Sequence, residues 1–154
     1  MYSKFLCSLI CGLIIAIAGC RGDLPAPGKA AEPPASGKIE MYYFYDGSCE
    51  ACNKVKEFYE ILDEELEGVN DLYPYTVISC NVFSTDGIKI KTEFFQNLGM
   101  DEVSIKSLSA PILVINGNIY QGTDQVRRNV RNAYLAAGET LENIKGTESK
   151  PSKQ

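Results

Sequence analysis

Histidine is absent from this chain of 154 residues. That one gap removes imidazole metal sites, Cys-His nucleophilic catalysis and the Ser-His-Asp triad together, because each needs an imidazole as ligand or base. Methionine is scarce, at three residues, so a soft-metal site has few thioethers to draw on. Clustered Lys and Arg are missing too. The 15 basic side chains are outnumbered by 20 acidic ones, for a formal net charge of −5, and no basic stripe appears. Phosphate binding needs such a stripe, so nucleic acid is excluded as a partner. What is present is a hydrophobic fraction of 45% over one domain's length, enough to build a core.

The first twenty residues, "MYSKFLCSLICGLIIAIAGC", read as an export signal. Lys4 supplies a positive start, and Phe5 to Ile17 form an apolar stretch shorter than the roughly 20 residues a spanning helix needs. Its end, Ile17-Ala18-Gly19-Cys20, resembles the bacterial lipobox. That resemblance implies cleavage after residue 19 and lipid on the sulfur of Cys20. The expected location is the extracytoplasmic face of a bacterial cell envelope, with the lipid holding the protein on a membrane. An ordinary cleaved signal ending in Cys, or a simple anchor helix, is the plain alternative. Residues 20–38 contain four prolines with Ala and Gly and nothing to bury, as a tether would. Fully extended, they reach at most about 60 Å. Residues 146–154, starting "GTESKPSKQ", read as a polar tail.

Between these ends, 39–145 patterns as one domain. "KIEMYYFY" (38–45) is a buried strand in which the Tyr42–Tyr45 aromatic cluster reads as core. The segment from Cys49 to about Leu66 carries Val55, Phe58, Leu62 and Leu66 at helical spacing. Ser48 is its expected N-cap and Gly68 its stop. "YTVISCNV" (75–82) is β-branched and strand-like, and its Cys80 reads as a small buried hydrophobe. Residues 86–100 suggest a second helix, with apolar positions at 90, 94, 95 and 98. Within "PILVINGNIY" (111–120), Asn116-Gly117 predicts a tight hairpin. A last helix from Thr123-Asp124 is expected to bury Val126, Val130, Ala133, Tyr134 and Ala137. The order β-α-β-α-β-β-α predicts an α/β fold whose mixed central sheet is flanked by helices.

The chemistry centres on "DGSCEACNK" (46–54), where Cys49 and Cys52 stand two residues apart at a strand-to-helix junction. Unpaired N–H groups and the dipole at a helix start favour an anion, so a thiolate at Cys49 is stabilised and made nucleophilic. Cys52 lies about one turn on, within reach of a disulfide. Zinc is a poor fit, because a site usually takes four ligands and the domain offers one pair, Cys80 and no His. A permanent disulfide is the second alternative, closing a very short loop of modest stabilising value. Redox exchange is the third. Copper held by thiolates is disfavoured by the missing His and scarce Met.

Ala110-Pro111 opens the "PILVI" strand, a place where proline's missing donor asks for a reason. With the pair and this proline in order, the chain from about Ile39 to Ala137 resembles the thioredoxin-fold proteins, whose core is βαβαββα. The resemblance implies a cis peptide at Ala110-Pro111 packed beside the disulfide, with both residues lining a groove for a bound polypeptide. Several positions depart from thioredoxin itself. Ser48 stands where it has Trp, Glu50-Ala51 replaces its Gly-Pro, and its buried carboxylate falls on Tyr43. Glu50 is the nearest candidate for proton transfer, although its charge also opposes a thiolate beside it. The direction of electron flow stays open.

The function expected from this reading is a membrane-tethered thiol–disulfide oxidoreductase, with Cys49 and Cys52 catalytic and no cofactor beyond their dithiol. Its expected partners are protein thiols or disulfides, a membrane redox protein that resets it, and the membrane reached through Cys20. The alternative from another class is a non-catalytic lipoprotein that binds a partner, or assists peptide export, with the pair as a staple.

Overall fold

Ile39, Met41 and Tyr43 bury themselves on one side of the strand Ile39–Tyr45 (β1), and Tyr42 and Phe44 on the other. All five are at most 7% exposed. Successive side chains on a strand point to opposite faces, so an apolar run of this kind belongs to a strand covered on both sides. The computed structural model describes residues 37–47 and 51–148, the side chains of 51, 52 and 146–148 aside.

Tyr75–Asn81 (β2) lies parallel to β1 in a register that runs from Ile39 opposite Tyr75 to Tyr45 opposite Asn81. On the other side of β1, Ile112–Ile115 (β3) runs antiparallel, and Asn118–Gln121 (β4) pairs antiparallel with β3. The sheet order is β2-β1-β3-β4. Asn116 and Gly117 join the last two strands with φ of +49° and +76°. Both central residues therefore take the left-handed backbone that a two-residue hairpin turn demands.

One face of the sheet is covered by the helices Ala51–Glu65 (α1) and Thr123–Glu148 (α4). Phe58, Ile61 and Leu62 of α1, with Leu66 just beyond it, meet Val126, Val130, Ala133, Tyr134, Ala137 and Leu141 of α4 over Met41, Tyr43, Leu113 and Ile115. Their three- and four-residue spacing gathers the apolar positions into one stripe per helix. Tyr43 stacks flat on Phe58, with ring centroids 4.0 Å apart. The other face is covered by Thr85–Asn97 (α2) and Glu102–Ser107 (α3), which pack Phe94, Phe95 and Ile105 against Tyr42, Phe44, Ile112 and Val114. Cys80 belongs to this second core and is 3% exposed. The fold is α/β, a four-stranded mixed sheet with helices on both faces.

α3 is the element the sequence pattern did not announce. The helical stretch expected over 86–100 ends as α2 at Asn97, and a separate turn of helix starts after Asp101, whose carboxylate accepts from the N–H groups of Val103 and Ser104. Six residues carry too little periodicity to be recognised, and only Ile105 among them is buried. α4 reaches Glu148, into the stretch read as a tail. Among the described residues no helix is long and apolar enough to cross a membrane.

Candidate functional site

The site forms where three chain segments meet at one edge of the sheet. β1 and β2 are parallel and end together, with Tyr45 opposite Asn81. β3 is antiparallel to β1 and begins there, with Ile112 opposite Phe44. The register therefore sets Ala110 and Pro111, immediately before β3, alongside the end of β1, from which the chain leaves toward α1. The Ala110–Pro111 peptide bond is cis. The Pro111 carbonyl accepts from the Gly122 N–H at 2.8 Å, tying the start of β3 to the end of β4. Two further contacts hold the approach to β3: Lys91 Nζ donates to the Leu108 carbonyl, and Gln121 Nε2 donates to Ser109 Oγ at 2.8 Å. Partial burial lowers the Lys91 pKa.

Cys52 is the second residue of α1, in the turn where backbone N–H groups lack intrahelical partners. Its side chain, and Ser48, Cys49 and Glu50, lie outside the described residues, as does Cys20 with the signal and most of the tether. The described neighbours nevertheless define how the chain enters the motif. Asn81 Nδ2 donates to the Gly47 carbonyl at 2.6 Å, and Asn81 Oδ1 accepts from the N–H groups of Gly47 at 3.3 Å and Phe83 at 3.0 Å. The Val82 N–H adds a 2.8 Å bond to the Tyr45 carbonyl. One carboxamide thus clamps the two loops that leave the ends of β1 and β2. Phe83, on the second loop, leaves its ring exposed.

A close approach reinforces this edge. A Cβ on Gly87, in the first turn of α2, would lie 1.8 Å from the Asn81 carbonyl oxygen. Only glycine lets α2 start so near the end of β2. Ser84 caps the same helix, its Oγ accepting from the Gly87 N–H at 3.1 Å.

Tyr43, in β1 six positions before Cys49, supplies no proton acceptor. Burial, with smaller contributions from the charges of Glu57 and Tyr45, pushes its pKa up to about 12. The phenol therefore stays protonated across the physiological range and cannot accept a thiol's proton there. Among the described residues, no group of three or more Cys, Asp or Glu side chains converges as a metal ion would require.

Sequence reasoning singled out Ala110, Pro111 and the cysteine pair, and it missed Asn81. A faint signal existed, since Asn at the end of a strand readily uses its amide as a local surrogate for backbone. Its principal partner, Gly47, is 34 positions away, however, and no local pattern announces it. No protein-family model matches this chain, and neither a curated protein nor a solved structure is significantly similar to it.

Proposed function

We propose that this protein is a thioredoxin-like thiol–disulfide oxidoreductase, tethered by lipid on Cys20 to the outer face of a bacterial membrane. The observation that carries the reading is the register of β3 against β1. It brings Ala110 and Pro111, more than fifty positions along the chain, beside the strand end that leads into the Cys49–Cys52 motif. A dithiol at a helix start with an extended chain segment alongside is what exchange with a polypeptide requires: a nucleophile, a resolving thiol and a ledge for the substrate backbone.

In the reducing direction, the Cys49 thiolate attacks a substrate disulfide. One substrate sulfur leaves as a thiolate, and Cys49 forms a mixed disulfide with the other. The Cys52 thiolate then attacks Cys49 Sγ and releases the second substrate thiol. Two electrons pass to the substrate, the protons of Cys49 and Cys52 end on its two sulfurs, and the enzyme is left as the disulfide. A membrane dithiol protein restores it. The reverse sequence oxidises substrate thiols, and a membrane disulfide protein then resets the pair. No step uses a base at Tyr43, so Glu50 or solvent takes the proton of Cys52.

The test is the redox midpoint of the fragment from Lys38 onward, read by alkylation and mass in glutathione buffers. A value near about −270 mV makes it a reductant, and one near about −120 mV a strong oxidant. Turnover of a model disulfide should vanish in Cys49→Ser. A pair that stays closed below about −300 mV, or full turnover in that variant, overturns the proposal in favour of a stapled binding lipoprotein.

A further inference from the structure

We infer that the outer edge of β2 is a self-association surface, on which a second copy of this chain adds its own β2 antiparallel about a two-fold axis. The inference draws on no residue of the cysteine motif. β2 stands at the end of the order β2-β1-β3-β4, so one of its sides has no neighbouring strand. The ladder to β1 fixes which groups point that way. The Pro74 carbonyl accepts from the Ile39 N–H at 2.8 Å, and the Val82 N–H donates to the Tyr45 carbonyl at 2.8 Å. Alternate residues of a strand direct N–H and C=O to opposite sides, so the even-numbered residues of β2 bond to β1. Tyr75, Val77 and Ser79 therefore turn both backbone groups outward, and among the described residues nothing bonds to them there.

Edge strands that remain single are blunted by Lys, by proline, by a bulge or by a covering element. β2 reads "YTVISCN", with no charge and no proline. Its last residue is covered, since α2 brings Gly87 against the Asn81 carbonyl. Residues 75–79 are not: Ser79 is exposed and the four before it are half-exposed. Three of the five large apolar side chains left exposed among the described residues stand beside this strand. Leu72 precedes it, Phe83 follows it, and Ile88 of α2 shares a groove with Val82.

A second copy fits this edge for reasons of symmetry and charge. The open residues are symmetric about Val77, so one two-fold register satisfies them all: Val77 meets its own counterpart, and Tyr75 of each copy meets Ser79 of the other. Because β2 is uncharged, pairing it with itself sets no like charges opposite one another, and a charged foreign strand finds no counter-charge on it. The antiparallel sense carries the loop with Leu72 in one copy toward the loop with Phe83 in the other, so exposed apolar surface meets apolar surface. The product is one sheet continuous through both copies.

The experiment is sedimentation equilibrium of the full chain in density-matched detergent, with amide hydrogen exchange followed residue by residue as concentration rises. The mass should double, and exchange at Val77 and Ser79 should slow with dimer formation. The amides of Ile78 and Cys80, bonded to β1 in either state, should keep their rates. Ser79→Pro removes an outward donor and leaves the ladder to β1 intact. Each dimer then lacks two hydrogen bonds, which should weaken association about thirtyfold. Should that variant fail to fold, Ser79→Lys carries the same expectation, because it sets two ammonium groups on diagonal positions of the paired strands. A dimer weakened by these variants supports the inference. A chain that stays monomeric, or a dimer that survives them unchanged, overturns it. Protection of Val77 and Ser79 by an added uncharged threonine–valine peptide, with the chain still monomeric, also overturns it and gives the edge to a foreign strand.

Discussion

The two ends of the sheet are each closed by one side chain that bonds to loop backbone, and the two closures are built differently. At the end where β1 and β2 begin, the Tyr134 hydroxyl accepts from the Tyr73 N–H at 2.8 Å and donates among the carbonyls of Val69, Asn70 and Tyr73. Tyr134 is fully buried, and the rings of Tyr73 and Tyr75 stand edge-on to it with centroids 5.8 Å away. At the end where β1 and β2 finish, Asn81 makes its three bonds half-exposed. The first closure draws on burial of a large ring as well as hydrogen bonds, and the second on the hydrogen bonds of a half-exposed amide. A hydrogen bond contributes about 1 kcal/mol net, whereas a buried aromatic contributes several. By these magnitudes the Tyr134 closure contributes more to stability than the Asn81 clamp.

The largest effect should come from the buried end. Tyr134→Ala removes the ring as well as the hydroxyl and should lower unfolding stability by about 3–5 kcal/mol in urea titrations. A loss under about 1 kcal/mol would show that this end is not the stability centre. At the motif end, Gly87→Ala forces a methyl group against the Asn81 carbonyl oxygen, 1.8 Å from the ideal Cβ. We expect a loss of about 1–3 kcal/mol. The same titrations check it, and an unaltered midpoint would mean that the clamp tolerates movement of β2.

The smallest effect is in the pH response of the strand that joins the two ends. The Tyr43 phenol is raised from 10.0 to about 12 by burial, so the folded state holds its proton more tightly than the unfolded chain does. Stability from this group is present below about pH 10 and is lost as pH rises toward 12, where unfolding becomes the route to ionisation. Tyr43→Phe keeps the stack on Phe58 and should flatten the decline over that window. Urea midpoints at pH 9, 10 and 11 in both proteins check it, and parallel slopes would assign the decline to other tyrosines.

Much of the fold was legible because its signals are local and periodic. The apolar run of β1, the Asn116-Gly117 turn and the Val126, Val130, Ala133, Tyr134 and Ala137 stripe of α4 all depend on near neighbours along the chain. Each was read from the letters, and each stands in the structure. α3 was not legible, since a single turn capped by Asp101 buries only Ile105. Of the site, the cysteine spacing and the proline could be read, but the ties that hold their surroundings could not. Asn81 and Tyr134 act on backbone 34 and more than 60 positions away, and hydrogen bonds of that span leave no period in a sequence.

The sequence by itself determined the strands and the helices other than α3, that the chain has no imidazole chemistry, and that a C-x-x-C pair follows the first strand. Those follow from residue type and spacing along the chain. The tertiary structure alone decided that β3 runs against β1 with Ile112 opposite Phe44, and that Asn81 reaches Gly47. Both depend on burying two faces of one sheet at once. Packing of α1 and α4 on one side and α2 and α3 on the other selects a single register, and that register sets the proline beside the strand end that leads to the motif.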